Sequence, residues 1–250
     1  MKITVFNGSP KAERGNTHVM VEAFLAGARE AGAEGEAVFL ARRKIKPCMG
    51  CYTCWMKTPG KCAHEDDMEE LLGKFISSDI VVFATPLYVD NVTGLMKNFL
   101  DRLIPIADPH WEKDEHGESR HLPRYEKPTR FAVISNCGFP EQSHFQVLRL
   151  YFRRLARNMS GSVIAEIYRG GGALLTSSDP SLQTFVESYR QLVRAAGKEV
   201  AERFAITGET ATQLERPLIP MGNFADEYLK RANERCDEVL ARLKSKAGEK

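Results

Sequence analysis

Apolar positions along the chain fall into two alternating patterns. Short runs rich in β-branched and aromatic residues occupy 2–6, 35–40, 79–84, 129–135 and 162–168. Between them, apolar residues recur at helical spacing over 19–31, 68–75, 91–103, 145–159 and 182–204. The unbroken apolar run Ile80-Val81-Val82-Phe83-Ala84 is what a strand covered on both faces requires. Asp66 and Asp67 precede the helix starting at Met68, where they can cap it and favour its dipole. An irregular stretch, 207–222, leads to a charged helix over 225–244, and the Lys- and Gly-rich tail after Leu243 is expected to fray.

Strands alternating with helices fold as a parallel sheet with helices on both faces. Five strands in a chain of 250 residues point to an α/β, flavodoxin-like, doubly wound sheet of order 2-1-3-4-5. A single domain over 1–250 is expected, carrying a cysteine-rich insertion at 46–64, a long loop at 105–128 and a C-terminal helical extension at 207–250. The 105–128 stretch is polar and holds His110, His116 and His121. Their spacing makes no tight ligand pair, so a solvated loop acting as lid, arm or interface is the expectation.

Composition narrows the function classes. Hydrophobic residues make up 43%, charged residues 27%, and the net charge is +2. That balance points away from disorder, a nucleic-acid footprint and a polybasic membrane surface. No segment reads as a signal peptide or a membrane span. A cytoplasmic protein is expected, and in a reducing compartment clustered cysteines point to metal or redox chemistry rather than disulfides.

The chemistry concentrates at the first strand. The run 2–6 ends in Asn7-Gly8-Ser9-Pro10, and Gly15-Asn16-Thr17 opens the next helix. A strand feeding a small-residue loop onto a helix N-terminus gathers free N–H groups and the positive dipole end, which suits a phosphate. Ser9, Asn16 and Thr17 add side-chain donors. An ordinary capped βα turn is the other reading. Neither a Walker G-x-x-x-x-G-K-[ST] nor a G-x-G-x-x-G motif occurs. In the expected fold, ligands sit beyond the carboxyl ends of the strands, where the loops 85–88 and 136–139 also end.

The second cluster is Cys48-x2-Cys51-x2-Cys54-x7-Cys62. Three thiolates at two-residue gaps can wrap a cubane, and a fourth completes Cys₄ ligation. Tetrahedral zinc, a redox dithiol and a metal-free loop are the alternatives. Trp55 is expected to pack over this loop or at a subunit contact, and Cys236 to be an incidental thiol.

Asn7-Gly8-Ser9-Pro10, Gly15-Asn16-Thr17, Thr85-Pro86-Leu87-Tyr88 and the stretch Leu95-Met96-Lys97-Asn98-Phe99-Leu100-Asp101-Arg102 together resemble the NADPH-dependent FMN reductase family. With the cysteine segment they resemble its iron-sulfur flavoprotein branch. The resemblance covers about the first 140 residues. It implies noncovalent FMN, with Ser9, Lys11, Asn16 and Thr17 at the phosphate. It places Pro86, Leu87 and Tyr88 along the isoalloxazine, and Asn136, Cys137 and Gly138 facing the pyrimidine side. It also implies a [4Fe–4S] cluster on Cys48, Cys51, Cys54 and Cys62. The expected activity is FMN-dependent oxidoreduction: NAD(P)H or a protein donor gives electrons to a quinone, metal ion, nitro compound or electron carrier. A shuttle between protein partners is the alternative. No catalytic side chain is nominated, because the flavin would carry the chemistry. Asp101 and Arg102 are expected to pair or serve a subunit contact, 170–172 to be a pocket wall or a flexible loop, and the assembly to be a homodimer or homotetramer.

Overall fold

In the computed structural model, which describes residues 1–125, 130–220 and 222–248, five strands form one parallel sheet. They are β1 (Lys2–Asn7), β2 (Glu34–Phe39), β3 (Ile80–Pro86), β6 (Arg130–Asn136) and β7 (Ser162–Arg169). Their order is β2-β1-β3-β6-β7. With β4 (Ala107–Lys113) and β5 (Ser119–Pro123) set apart as an antiparallel pair, this is the expected 2-1-3-4-5 order.

The register sorts side chains between two cores. Val5 lies opposite Ala37 and Val82, and Val82 lies opposite Ala132. One face therefore presents Ile3, Val5, Ile80, Val82, Ala132 and Ile134 to α1 (Asn16–Glu30) and α6 (Gln183–Arg203). The other presents Phe6, Val81, Phe83, Phe131 and Val133 to α3 (Met68–Ser77), α4 (Gly94–Asp101) and α5 (Gln146–Asn158). This second core is aromatic: Phe6 stacks on Phe99 at 4.5 Å, and Phe83 lies 5.4 Å from both Phe131 and Phe152. Short α2 (Thr53–Met56) lies within the cysteine segment, and α7 (Gly208–Glu215) and α8 (Phe224–Gly248) follow α6.

Two expectations change. The 105–128 segment is a β-hairpin rather than a structureless loop, as far as Tyr125. Glu112 accepts a hydrogen bond across it from Arg120 Nε at 2.7 Å. Buried Asp114 accepts from the N–H groups of His116 and Glu118 at the turn, and Arg157 of α5 donates to its other oxygen at 2.7 Å. The three histidines have separate partners: His110 meets Asp108, His116 lies at the turn, and His121 packs against Trp55 and Trp111. The 207–222 stretch contains α7, capped by the Thr207 hydroxyl, which accepts from Thr210 N–H. Its C-terminal carbonyls receive a buried cation: Arg169 donates to the Arg216 and Leu214 oxygens and lies 4.1 Å from the Tyr189 ring centre. Thr129 of the predicted fourth strand, residues 126–128 of the long segment, and 221, 249 and 250 of the C-terminal extension lie outside the described residues.

α1 and α6 cross at backbone contact. A Cβ on Gly27 would lie 1.8 Å from Arg194 O, and one on Gly197 would lie 1.9 Å from Phe24 O. Gly→Ala inside a helix ordinarily stabilises by about 0.5–1 kcal/mol. Here the sign reverses: Gly197→Ala should destabilise the protein by about 3 kcal/mol through overpacking, read as a lower urea midpoint. A midpoint raised or unchanged would show that the helices do not meet as described.

Candidate functional site

The loop after β1 is held open by its neighbours. Gly8 N–H continues the sheet ladder to Ala84 O, and Ser9 N–H donates to Asn7 Oδ1 at 2.9 Å. A Cβ on Gly8 would lie 2.8 Å from Met96 Cβ, and one on Gly15 would lie 2.6 Å from Ser9 Oγ. Both glycines are there for close approach, since neither has a positive φ. At the start of α1, His18 N–H bonds Gly15 O, while those of Asn16 and Thr17 have no acceptor inside the helix. The Lys11 and Arg14 cations carry no carboxylate partner among the described residues. Ala12 stands at φ 47°, a left-handed conformation inside this same loop.

The predicted side chains are joined differently from one another. Ser9 and Thr17 are buried, and the Thr17 hydroxyl accepts from Asn136 Nδ2 at 2.7 Å. Asn16 Oδ1 accepts from Thr176. Leu87 N–H donates to Asn136 O at 2.8 Å. Asn136 thus fastens the phosphate-type loop to the Pro86–Tyr88 loop. Half-exposed Tyr88 leads into a tight turn closed by paired bonds with Asn91. Its central residues, Val89 at φ 48° and Asp90 at φ 58°, are both left-handed, which is strained for a β-branched side chain.

Cys137 is less available than the sequence pattern implies. Its N–H donates to Arg169 O and its thiol to Phe139 O. Burial pushes that thiol up to about 11. Gly138 faces open space, with nothing within 4 Å of an added Cβ. The 170–172 stretch is a packed wall. Gly171 and Gly172 N–H bond Phe139 O and Cys137 O, and a Cβ on Gly170 would meet Pro140 O at 2.4 Å.

A phosphate-bearing cofactor fits these residues. Unclaimed N–H groups, unpaired cations and an open Gly138 loop share one edge of the sheet. Two buried polar atoms near the carboxyl ends of β1 and β6, Asn7 Nδ2 and Ser135 Oγ, have no hydrogen-bond partner among the described residues.

All four cysteines of the second cluster line one small cavity, with Tyr52, His64 and Ile104 among the other walls. Cys48 and Cys51 are exposed, Cys62 is partly covered and Cys54 is buried. Burial raises the Cys54 thiol, while hydrogen bonding from Thr53 lowers that of Cys51. Among the described residues, no three His, Cys, Asp or Glu side chains are grouped closely enough to hold a metal ion.

The frame of this segment rests on Arg102, which the sequence reading placed in a simple pair or a subunit contact. Its partner is Asp66 rather than Asp101, and both side chains are almost fully buried. The guanidinium grips the carboxylate through both nitrogens, at 2.7 and 3.0 Å. It also donates to Lys46 O at 2.6 Å and approaches Cys62 Sγ at 3.4 Å. Asp66 accepts from Lys46 N–H and Met68 N–H. It therefore does cap α3, whereas Asp67 turns back to Lys44 N–H. Asp101 pairs with Lys97. Trp55 packs over the segment, stacked near Tyr52 and His121 with its Nε1 donating to Ile104 O.

The sheet order and the loops at its carboxyl edge define a flavodoxin-like α/β protein. Residues 1–117, a little under half of the chain, match the family described as NADPH-dependent FMN reductase. An iron-sulfur flavoprotein of Archaeoglobus fulgidus is 40% identical over 142 residues, which is 57% of this chain and 58% of that protein. The chain thus matches less than two thirds of that relative's length. Among solved structures, an FMN-dependent NADH-azoreductase from Bacillus anthracis aligns with a TM-score of 0.59 at 17% identity, covering 80% of this chain and 99% of that one. An NAD(P)H:quinone oxidoreductase from Methanothermobacter marburgensis aligns at 0.56 and 16%, covering 82% and 98%. At these identities the structural likeness speaks for the fold. Among the described residues no helix is long and apolar enough to cross a membrane.

Burial acts to raise the Asp66 carboxyl, but hydrogen bonds from Arg102 and two N–H groups outweigh it and hold it at about 2. An unfolded aspartate titrates near ~3.9. The ion pair's stabilisation should therefore be complete above that value and disappear as pH falls towards 2, a loss of about 2 kcal/mol. Asp66→Asn should cost about 3 kcal/mol at pH 7 by leaving Arg102 buried without its counter-charge, and should flatten the stability profile between pH 4 and pH 2. Urea titrations across that range test both parts; a variant profile as steep as the wild type's would remove Asp66 as the titrating group.

Proposed function

We propose that the chain is an FMN-dependent oxidoreductase that takes electrons from NAD(P)H and delivers them to a separate acceptor. The observation that carries this reading is the anion-ready loop after β1, tied through Asn136 to the loop 86–88 at the same sheet edge. In this reading Ser9, the N–H groups of Asn16 and Thr17, and the Lys11 ammonium hold the phosphate. Pro86, Leu87 and Tyr88 line the ring, and Gly138 approaches its pyrimidine side. Bound FMN would supply hydride and electron transfer. The protein's part is positioning: Asn136 locks the two loops in register, and Thr93 donates to Gly8 O at 2.7 Å, fixing the loop's entry.

The finer proposal is a [4Fe–4S] cluster held by Cys48, Cys51, Cys54 and Cys62, supported by four thiols lining one cavity and by the iron-sulfur flavoprotein relatives. Arg102 would then donate to the Cys62 sulfur. A second reading, an electron shuttle between protein partners, is favoured by the exposed Met49, Tyr52 and Met56 around the cysteines. A homodimer or homotetramer remains part of the proposal, with exposed Leu229, Val239, Leu240 and Leu243 of α8 as available apolar surface.

Anaerobic purification with flavin, iron and sulfide analysis is the first test. One FMN with about four irons and four sulfides per chain supports both proposals. FMN without iron removes the cluster, and no affinity for FMN removes the flavin reading. Oxidation of NADH or NADPH with a small quinone favours the enzyme; reduction by a partner protein alone favours the shuttle. Ser9→Ala combined with Lys11→Ala should weaken FMN by about tenfold or more while leaving riboflavin, which lacks the phosphate, unaffected. Equal losses for both ligands would place the phosphate elsewhere.

A further inference from the structure

A further cavity lies behind the hairpin, away from the loop after β1 and bordering the cysteine segment. It sits near the opposite edge of the sheet, where Ser78 leads into β3 and Ser160 precedes β7. The hairpin β4–β5 and Trp55 form one side, and the C-terminal turns of α3, α4 and α5 form the other. It holds about 420 Å³, within the range of small-molecule pockets. Its walls are mainly apolar, including Trp55, Leu103, Leu122, Leu155 and Met159. Ile104 lines both this cavity and the cysteine cavity.

Three features restrict what it can take. First, aromatic faces recur around it, from Trp55, Phe75, Tyr125 and Tyr151, which suits a flat ring system. Second, the ends of three helices that converge here are C-terminal, the negative ends of their dipoles. The two charged side chains on the wall are each paired, Asp101 with Lys97 and Arg154 with Glu118, which leaves the helix ends to set the sign. Phosphates and other anions are therefore disfavoured, unlike at the loop after β1. Third, the Tyr151 hydroxyl has no hydrogen-bond partner among the described residues. His121, by contrast, directs Nδ1–H to Asp108 O. A free O–H donor in a mainly apolar wall, where buried Ser160 Oγ also lacks a partner, matches a carbonyl oxygen.

We propose that this cavity is a second ligand site, for a neutral, planar molecule of one or two aromatic rings carrying a carbonyl group. Tyr151 donates to that carbonyl, and Trp55 and Leu155 enclose the rings. The proposal does not rest on the flavin reading, because the two sites lie near opposite edges of the sheet and favour opposite ligand charge.

The test uses the full chain with ¹³C-methyl methionine and 2-acetylnaphthalene as the probe. Met159 lines the cavity, whereas Met96 packs against Gly8 at the phosphate-type loop. The expected result is a saturable shift of the Met159 methyl with Met96 unmoved. FMN, titrated separately, should move Met96 and leave Met159 in place. Tyr151→Phe should weaken the probe roughly fivefold, the effect of one hydrogen bond. Leu155→Trp, which fills the cavity, should weaken it by more than about tenfold. Tyr151→Phe also guards against misfolding of the bulkier variant. No saturable Met159 shift, or probe binding that FMN displaces, overturns the proposal. So does sedimentation showing a dimer that Leu155→Trp dissociates, because a second copy would then cover this face. Failure of FMN to bind would leave the Met159 result readable by itself.

Discussion

Arg102 has almost no solvent contact and carries a full charge, so its surroundings must compensate that charge or the fold loses several kcal/mol. The chain meets that demand by bringing Asp66, Lys46 O and Cys62 to its two terminal nitrogens, while Nε has no partner among the described residues. The demand fixes both ends of the cysteine segment against α4. The other end of the same helix is equally committed. Thr93 caps α4: its hydroxyl accepts from Met96 N–H and donates to Gly8 O, its carbonyl accepts from Lys97 N–H, and its own N–H reaches the Thr85 hydroxyl. Asn98 donates to Ile45 O midway between. α4 is thus a short strut with the phosphate-type loop at its N-terminus and the four thiols near its C-terminus. A change in its tilt would move both together.

The strut explains why the stretch 95–102 is informative although it carries no obvious chemistry. Leu100 and Phe99 anchor it in the aromatic core, and the exposed Lys97–Asp101 pair contributes little by comparison. The remaining polar side chains, Asn98 and Arg102, face the cysteine segment. Strain is concentrated just before this strut, at Val89 and Asp90. A left-handed pair at that turn reverses the chain after Tyr88 tightly enough for Thr93 to reach the Gly8 carbonyl. A looser turn with relaxed backbone would lengthen the gap between the two loops.

Most of the sheet was legible in the sequence because its central strands β1, β3 and β6 are buried on both faces, which forces apolar runs such as 80–84. Strand boundaries shifted by a residue or two and helix ends by up to three or four, since helix starts depend on caps such as Thr93 rather than on periodicity. The hairpin was hidden for a physical reason. Ala107–Lys113 has no alternating apolar face, and what holds it is Asp114 meeting Arg157 across 43 residues. α7 was hidden likewise, because its last carbonyls are satisfied by Arg169 from a distant strand. At the candidate site, the residue types of the β1 loop announced anion chemistry, whereas the roles of Asn136 and Arg102 are long-range and have no local signal. Cys137 shows the converse: its position in the loop was readable, but its engagement with Arg169 O and Phe139 O was not.

Parallel strands with helices between them give the molecule a polarity that also sorts its ligands. α1 and α4 begin at the carboxyl edge, so that edge collects N–H groups and positive potential. α3, α4 and α5 end at the other, where the negative ends of their dipoles converge. The same connectivity therefore builds an anion-accepting cleft and, behind the hairpin, an anion-repelling apolar cavity. Neither needs a special residue to set its sign; both inherit it from chain direction. Side chains then refine each end, with Lys11 and Ser9 at one and Tyr151 and Trp55 at the other. The cysteine cavity touches the second region through Ile104 and the first through α4, which makes the strut and its buried arginine the shared mechanical element of all three.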